Sequence, residues 1–411
     1  MSEEILFLAH RMPFPPDRGD KIRSHHILRA LAELAPVHVA CFAETVADRA
    51  QEAQLASLAA SYCLVDRKKP LALAGLEALA RHEPVSLSAF RHGAIAGFVS
   101  RTLAERPVDT IYVFSGQMGQ YVPSAWPGRV VIDLVDVDSA KFESYASEAV
   151  GPMRWFYRRE DRLLRIEEER LACLADHTLL VSVNEAELLR SRLSNAGEAR
   201  IGALGNGIDF AVFDPAATIQ HPALAATPGP HLVFTGQMDY PPNVAAVQRV
   251  VRAIMPEIRR THLAAQFHIV GRAPTTEVFG LESDSVRIWG EVPAVQPFLA
   301  AADLVIAPLT IARGVQNKVL EAMAMARPVL LTPEAANGIP AEDGIHFAVE
   351  DNDHSLVARS LALLADRNSA ARMGAAARRL VVERMSWPAM LASLPAFVGR
   401  EAKHEGCRDA A

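Results

Sequence analysis

Cysteine is scarce in this sequence, and the cysteines that occur are far apart. The 411 residues include only Cys41, Cys63, Cys173 and Cys407, with no C-x-x-C spacing among them. This pattern predicts neither a disulfide framework nor a structural zinc site. We therefore expect a protein of a reducing compartment, the cytoplasm.

The sequence also lacks an excess of positive charge and a long apolar segment. Its formal net charge is −6, so no overall basic excess is available to neutralise nucleic-acid phosphates, and nucleic acid is not an expected partner. The N-terminus carries Glu3 and Glu4 where a signal peptide has basic residues, and the apolar run after them is too short to span a bilayer. We expect neither secretion nor membrane spanning.

Alternating apolar and helical segments fill most of the chain. Half of the residues are hydrophobic, enough for two domains with separate cores. Short apolar runs between longer helical stretches are typical of βαβ units and predict an α/β fold with parallel sheets. The predicted strands lie at 5–9, 37–42, 62–65, 110–114, 130–134 and 178–182, and then at 231–235, 266–270, 286–289, 304–307 and 329–331.

The same rhythm predicts the domain boundaries. The first domain covers residues 1–205, and the second covers 231–384. Between them, 206–230 is rich in Pro, Ala and Thr without clear periodicity and is predicted to be a linker. Residues 385–398 predict one amphipathic helix that packs back on the first domain, followed by a polar, mobile tail to residue 411.

The segment from Ala312 to Leu331 is the most informative part of the chain. A loop containing Gly314 leads into a predicted helix with Lys318 and Glu321 on one face. Backbone N–H groups at a helix start attract anions, glycine permits close approach of a phosphate, and a nearby carboxylate can accept hydrogen bonds from ribose hydroxyls. The alternative, an ordinary surface helix with an i,i+3 ion pair, stays open.

A series of motifs in the second half resembles the family 4 glycosyltransferases, whose fold is the two-domain GT-B type. The motifs are Asn206-Gly-Ile-Asp209 with Phe213-Asp-Pro215, Phe234-Thr-Gly-Gln-Met238 with Pro241-Pro-Asn243, Ile269-Val-Gly271, the stretch from Ala302-Asp303 to Pro308, and Lys318-Val-Leu-Glu321. Three further stretches, 13–23, 135–141 and 316–325, resemble the sugar transferases associated with PEP-CTERM and exosortase exopolysaccharide loci.

This resemblance implies two Rossmann-like, doubly wound domains that face each other across a cleft, with a nucleotide-sugar donor on the second. Strand ends and motif positions together predict the donor-binding residues Gly19, Gly236, Gly271, Arg272, Arg313, Gly314, Val315, Asn317, Lys318 and Glu321. With Lys318 and the helix start available to neutralise the diphosphate, we expect neither a metal nor another cofactor.

Two departures from the family pattern concern the donor site. The family usually has a second glutamate eight residues before the one at Glu321, and this chain has Arg313 there. The basic pair that often follows the first strand of the second domain is also absent, since the sequence reads Gly236-Gln-Met-Asp-Tyr240. Arg313 and Lys318 are the candidates to supply the missing positive charge.

Candidate catalytic residues lie near strand ends of the first domain. Asp136 is the first choice for a general base and Asp138 the second, because both follow a predicted strand. Asp138 can equally cap the helix after it, and that alternative stays open. His10, at the end of the first strand, is the remaining candidate.

The loop after the first strand contains further charged residues. We expect Asp20 to cap the helix that begins at Lys21, and Lys21 or Arg23 to contact phosphate or acceptor. Residues 154–166 mix aromatics with arginines, which suits a helix at an anionic lipid surface. A domain helix with salt-bridged charges is the favoured interpretation of that segment.

These features predict an enzyme that moves a sugar from a nucleoside diphosphate sugar to a glycan or polyprenyl-linked acceptor. The resemblance implies retention of configuration and a role in exopolysaccharide biosynthesis. Peripheral contact with the cytoplasmic face of the inner membrane is the alternative that residues 154–166 leave open. The alternatives are a non-catalytic nucleotide-sugar-binding subunit, motivated by Arg313, and a sugar-nucleotide epimerase. A dehydrogenase is disfavoured because no G-x-G-x-x-G follows the first strand.

Overall fold

A computed structural model describes residues 3–194, 197, 199–312 and 314–400. The described chain divides into two compact units. The first runs to Asn206 and takes up the chain again from Leu391, and the second covers Gly207–Met390. Arg313 and the residues after 400, including the predicted tail and Cys407, lie outside the described residues.

The first unit is built on a seven-stranded parallel sheet. Its strands are β1 (Glu4–Ala9), β2 (Val37–Ala43), β3 (Ser61–Asp66), β4 (Val108–Phe114), β5 (Arg129–Val135), β6 (His177–Leu180) and β7 (Ile201–Ala203). Its helices are α1 (Gly19–Leu34), α2 (Val46–Ala50), α3 (Glu52–Leu58), α4 (Leu71–Arg81), α5 (Val85–Ala89), α6 (Gly93–Glu105), α7 (Asp138–Glu148), α8 (Gly151–Leu174) and α9 (Val183–Arg192), with a 3₁₀ helix at Gly116–Tyr121.

The second unit is built on a six-stranded parallel sheet. Its strands are β8 (His231–Thr235), β9 (Gln266–Val270), β10 (Val286–Gly290), β11 (Leu304–Ala307), β12 (Val329–Leu331) and β13 (Ala348–Val349). Its helices are α10 (Pro222–Ala225), α11 (Pro241–Arg249), α12 (Met255–Thr261), α13 (Thr276–Phe279), α14 (Gln296–Ala301), α15 (Asn317–Ala324), α16 (Pro333–Ala336), α17 (Asp353–Ala365), α18 (Arg367–Arg384) and α19 (Trp387–Met390), with a π-helical turn at Val250–Ile254.

Both sheets have the same doubly wound order. The first is β3-β2-β1-β4-β5-β6-β7 and the second is β10-β9-β8-β11-β12-β13. In each, the order reverses between the first strand of the unit and the fourth. Ligands of open α/β sheets bind outside the carboxyl ends of the strands at such a switch point. The ends of β1 and β4, and of β8 and β11, therefore locate the candidate sites.

The observed strands explain the periodicity of the sequence. β1, β2 and β8 are buried along their whole length, which is why they are continuous apolar runs without polar alternation. The predicted strands are all present, and β7 and β13 are additional. Those two are only three and two residues long, too short to show a period.

Two stretches differ from the sequence prediction. Residues 207–230 of the predicted linker belong to the second unit and contain α10, where Leu224 is buried in the hydrophobic core. The single C-terminal helix predicted for 385–398 is wrong, because the chain forms two short helices, α19 and α20 (Leu394–Phe397). Leu394 is buried, and Arg400 bonds to Asp109 of the first unit at 2.8 Å.

Candidate functional site

Two glycines end the central strands of the second sheet, where side chains would not fit. Gly236 follows β8 and Gly271 follows β9, with φ of +155° and +152°. A Cβ on Gly271 would lie 1.6 Å from the Gly236 carbonyl oxygen, and a Cβ on Gly236 would lie 2.8 Å from the side-chain nitrogen of Asn243. Glycine is required at both positions, because a side chain would collide with the Gly236 backbone or with Asn243.

Helix α15 begins beside this edge. Its buried face consists of small and aliphatic side chains, among them Val319, Leu320 and Met323. Gly314, with φ of +63°, lies in the exposed loop before the helix. The helix is followed by Ala326, at φ +53°, and then by Pro328, which cannot continue it. The N-terminus of α15 lies near the end of β8, because Cε of Lys318, in the first turn, is 3.4 Å from where a Cβ on Gly236 would be.

Lys318 connects α15 to the end of β8. Its Nζ donates a hydrogen bond of 2.5 Å to Asn243 Oδ1 and lies 4.8 Å from the centre of the Phe234 ring. Burial lowers the pKa of this lysine to about 8. It is also the sole lysine in the sequence between residues 207 and 390.

Glu321 lies one turn further along the same helix. Burial raises the pKa of its carboxyl to about 7, and the charge of Lys318 offsets part of this rise. Within the described structure the two side chains form no ion pair. The i,i+3 ion pair that the sequence left as an alternative interpretation of Lys318 and Glu321 is therefore not formed.

The remaining donor-site candidates differ in position. The Arg272 guanidinium donates to Gln237 Oε1 at 3.0 Å beside the end of β9. Asn317 is exposed at the first position of α15, whereas Val315 is half-buried and lies 3.0 Å from where a Cβ on Gly338 would be.

One residue of the second unit has a role at this site that the sequence did not predict. Asn243 binds both Lys318 and the Gln237 carbonyl, the latter at 2.8 Å. The Pro241-Pro-Asn243 motif identified Asn243 as part of the family pattern. It did not predict the contact of Asn243 with Lys318, which is 75 residues away. Gly19, in the first unit, opens α1, and no atom lies within 4 Å of the place that a Cβ would take, so close packing does not require glycine there.

His10 lies at the end of β1 among charged side chains. Its Nε2 is 2.9 Å from an Arg11 nitrogen and 3.3 Å from Asp20 Oδ2, and Arg11 pairs with Asp20 at 2.6 Å. Burial lowers the pKa of His10, so the ring is neutral at pH 7. The prediction that Asp20 caps α1 is wrong, because α1 begins at Gly19 and Asp20 instead pairs with these neighbours and with Arg18.

Asp136 and Asp138 lie past the end of β5 and line a small cavity of about 20 Å³ with Gln117 and Glu168. Desolvation raises the pKa of both aspartates. Asp138 is the first residue of α7, and the N-cap is Val137 with no side-chain cap bond, so the capping alternative for Asp138 is excluded. A carboxylate with a raised pKa is suited to accept a proton near neutral pH.

Lys21 and Arg23 have partners within their own unit. Lys21 is buried and pairs with Asp48 at 2.9 Å. Arg23 is 1% exposed; its guanidinium pairs with Asp133 at 2.9 Å and donates to Asn206 at 3.0 Å. Both cations are thus already paired with carboxylates of their own unit, and their contact with phosphate or acceptor stays a prediction.

The described residues also limit two other possibilities. Among them, no group of three or more His, Cys, Asp or Glu side chains is placed to hold a metal ion. None of the described helices has the length and hydropathy required to cross a bilayer.

The second unit matches a known family in sequence. Residues 229–366 match the family described as "Glycosyl transferases group 1", a span that contains Gly236, Gly271 and all of α15. The chain is a glycosyltransferase. Among curated proteins, none matches this glycosyltransferase in sequence.

Solved structures of similar fold cover almost the entire chain. The Anabaena protein HepE, in complex with UDP and glucose, is 14% identical over 97% of this chain and 100% of its own, with a TM-score of 0.60. Sucrose-phosphate synthase from Thermosynechococcus elongatus is 14% identical over 96% and 98%, with a TM-score of 0.62. WaaG, a glycosyltransferase involved in lipopolysaccharide biosynthesis, is 15% identical over 96% and 100%, with a TM-score of 0.60. The predicted GT-B fold with two Rossmann-like domains is confirmed.

Proposed function

We propose that this glycosyltransferase moves a sugar from a nucleoside diphosphate sugar to a glycan or polyprenyl-linked acceptor in the cytoplasm. Two comparisons support the proposal: HepE binds UDP and glucose, and WaaG acts in lipopolysaccharide biosynthesis. Uridine diphosphate sugars are therefore the first donors to test. The motif resemblance to family 4 and to the exopolysaccharide subgroup suggests the acceptor class and a retaining outcome.

The placement of Lys318 is the observation that carries this proposal. An ammonium group in a partly desolvated position loses hydration, and the lowered pKa of Lys318 reflects that cost. Its hydrogen-bond acceptor is the neutral amide of Asn243, not a carboxylate. A diphosphate beside Gly236 and the N-terminus of α15 would supply the missing negative charge.

The neighbouring groups complete a donor site in this proposal. The diphosphate binds beside the strand ends at Gly236 and Gly271, and Glu321 accepts hydrogen bonds from the ribose hydroxyls. Arg272 adds positive charge beside the end of β9, and Arg313 is a further donor-binding candidate from its position in the sequence alone. With lysine, arginine and a helix N-terminus neutralising the leaving diphosphate, the reaction needs no metal.

On the acceptor side, we assign general-base catalysis to Asp136, with Asp138 as the second candidate. The raised pKa of each carboxyl favours proton uptake from a hydroxyl near neutral pH. His10 is neutral and buried beside Asp20, which suits it to donate or accept a hydrogen bond rather than to carry charge.

A thermal-shift panel of UDP, GDP and ADP, each free and as a sugar conjugate, tests the donor site. A ligand that binds only the folded protein raises its melting temperature. We expect one nucleotide class to stabilise the parent, and Lys318→Ala and Glu321→Ala each to lose most of that shift. Arg252→Ala and Glu334→Ala alter exposed charges of the same unit and serve as matched controls. A full shift in both site variants would overturn the assignment.

A second candidate function is donor binding without turnover. Arg313 motivates it, since the family usually has a glutamate at that position. Donor hydrolysis or transfer to glycan-lipid acceptors by the purified protein supports the enzyme, whereas tight donor binding without either reaction supports the binding subunit. Conversion of the donor sugar to its epimer in the absence of acceptor would instead identify an epimerase.

A further inference from the structure

We propose that α4 and the first half of α8 form a surface that docks on an anionic lipid bilayer. We call it the α4–α8 surface. Its apolar members are Leu71, Leu73, Leu76, Leu79, Met153 and Trp155, and its cations are Arg81, Arg154, Arg158 and Arg162. All lie within the first unit, and the inference is independent of donor chemistry.

Helix α4 presents its large apolar side chains to the outside. Ala74 and Ala78 are fully buried, so the small residues face the domain core. Leu76, between them and on the opposite side of the helix, is 66% exposed, and Leu71 is 67% exposed. An amphipathic helix that only covers a core has its leucines inward. The outward leucines of α4 therefore indicate an apolar partner.

Helix α8 extends the same surface. Trp155 is 63% exposed, and Met153 is 49% exposed. A cavity of about 450 Å³ joins the two helices, and Leu79 and Trp155 both line it, together with Arg158. An exposed tryptophan beside arginines is suited to a bilayer interface, where its ring lies at the level of the lipid headgroups.

The four arginines of the surface have no salt-bridge partner in the described structure, and Arg81 acts on Glu77 only at longer range, where it adds to the hydrogen bond from Lys69 in lowering the pKa of that carboxyl. Within the described residues, none of them forms an ion pair. The acidic side chains nearby are occupied elsewhere: Glu77 pairs with Lys69, Glu83 with Arg91 and Asp161 with Arg192. The favoured interpretation of residues 154–166 as a helix with salt-bridged charges thus holds for Arg159, which pairs with Glu160, and for Arg165, which pairs with Asp161. It does not hold for Arg154, Arg158 and Arg162.

Apolar side chains flanked by unpaired arginines match the chemistry of an anionic membrane surface. Such a surface offers hydrocarbon for the leucines and phosphate groups for the guanidinium groups. A second copy of this chain is a poorer partner, because a symmetric contact would bring like charges together.

Vesicle co-sedimentation of the full chain tests the inference. We expect binding to phosphatidylcholine vesicles containing phosphatidylglycerol and little binding to phosphatidylcholine alone. The triple variant Arg154→Gln, Arg158→Gln, Arg162→Gln should bind the anionic vesicles roughly 100-fold more weakly, since each basic residue near the surface adds about 1 kcal/mol. Leu76→Gln with Trp155→Gln should also weaken binding.

Matched controls lie on the second unit. The triple variant Arg372→Gln, Arg379→Gln, Arg384→Gln removes the same charge from exposed positions of α18, and Leu263→Gln removes an exposed apolar side chain. Both should bind vesicles like the parent. A blue shift of tryptophan emission on anionic vesicles, absent in Trp155→Phe, should locate the contact.

Donor-induced thermal shifts in the surface variants separate this inference from the proposed function. We expect those shifts to be unchanged. The inference is overturned if the parent ignores anionic vesicles, if the α8 and α18 triple variants lose binding equally, or if the surface variants change only the oligomeric state.

Discussion

The two units share a strand order but treat positive charge at their strand ends differently. In the first unit, Arg11 pairs with Asp20 and Glu44, and Glu44 also binds Arg18 and Arg67. In the second, Lys318 is held by an amide and an aromatic ring. The first unit thus neutralises the cations at its strand ends with carboxylates in direct contact, whereas Lys318 of the second unit has no carboxylate within ion-pair distance in the described structure.

This difference separates structural charges from a charge that suits a ligand. Burial of a cation is tolerated when a carboxylate compensates for the lost hydration. Where compensation is incomplete, the charged state is disfavoured: the charge of Glu321 raises the pKa of Lys318 by less than burial lowers it. The same strand order therefore does not give both sheets the same binding properties. The position of the counter-charge decides at which strand ends a cation is free to bind an anion.

The largest expected effect comes from breaking the buried pair of the first unit. Asp133 is fully buried and accepts hydrogen bonds from Arg23 at 3.0 Å and from the Tyr112 hydroxyl at 3.2 Å. Asp133→Ala leaves the guanidinium buried without its counter-charge and should lower the free energy of unfolding by about 3–5 kcal/mol. Urea denaturation measures this change.

A matched control is available in the same unit. Asp109 pairs with Arg400 at 2.8 Å but is 33% exposed, so Asp109→Asn should cost no more than about 1 kcal/mol. Lys318→Met, in contrast, removes an unneutralised cation and should not destabilise the ligand-free protein. A destabilisation by Lys318→Met as large as that by Asp133→Ala would remove the distinction between the two units.

The fold was predictable because its signals are local. Strand positions followed from apolar runs, and β8, β9, β11 and β12 have the predicted bounds. The boundaries failed where tertiary packing decides the outcome: α10 has no period of its own, and the C-terminal segment divides into two short helices.

The site was less predictable because its decisive contacts are long-range. Sequence position placed Lys21 and Asp20 beside a strand end, but their partners are set by the fold. Asp48, for example, reaches Lys21 from 27 residues away. Motif order did place Gly236 and Lys318 in one region, since strand ends of a parallel sheet meet at one edge.

A second, smaller effect should appear in the pH dependence of donor binding. The pKa of Lys318, about 8, predicts loss of its charge as the pH rises above 8. Donor affinity should therefore fall roughly tenfold between pH 7.5 and pH 9.5, as measured by calorimetry with the nucleotide that the thermal-shift panel selects. In Lys318→Arg the charge persists, so the affinity should be nearly constant over this range. An equal fall in both proteins would show that Lys318 is not the responsible group.

The smallest effects come from two buried groups whose pKa values are shifted in opposite directions, His268 in the second unit and Glu168 in the first. In the second, Trp289 donates to His268 at 3.2 Å, so the other nitrogen of His268 donates to His231, at 3.0 Å. Both rings are satisfied without a second proton. In the first, Glu168 accepts from the N–H and hydroxyl of Ser139, at 2.9 and 2.6 Å.

The signs follow from the pKa values. Burial lowers the pKa of His268 to about 3, below its unfolded value, so its contribution to stability is complete above about pH 6.5 and is lost as the pH falls toward 3. Burial raises the pKa of Glu168 to about 7, so its contribution is complete below about pH 4 and is lost as the pH rises through 7.

Acidification from pH 7.5 to 5.5 should therefore act oppositely through these two groups, by on the order of 1 kcal/mol each. His268→Gln keeps one donor and one acceptor but cannot titrate. It should therefore reduce the stability that the second unit loses on acidification. Glu168→Gln should reduce the stability that the first unit gains on acidification. Hydrogen exchange of peptides from each unit, comparing parent and variant at each pH, measures both. If the two substitutions shift protection in the same direction, the opposed titration of the units is wrong.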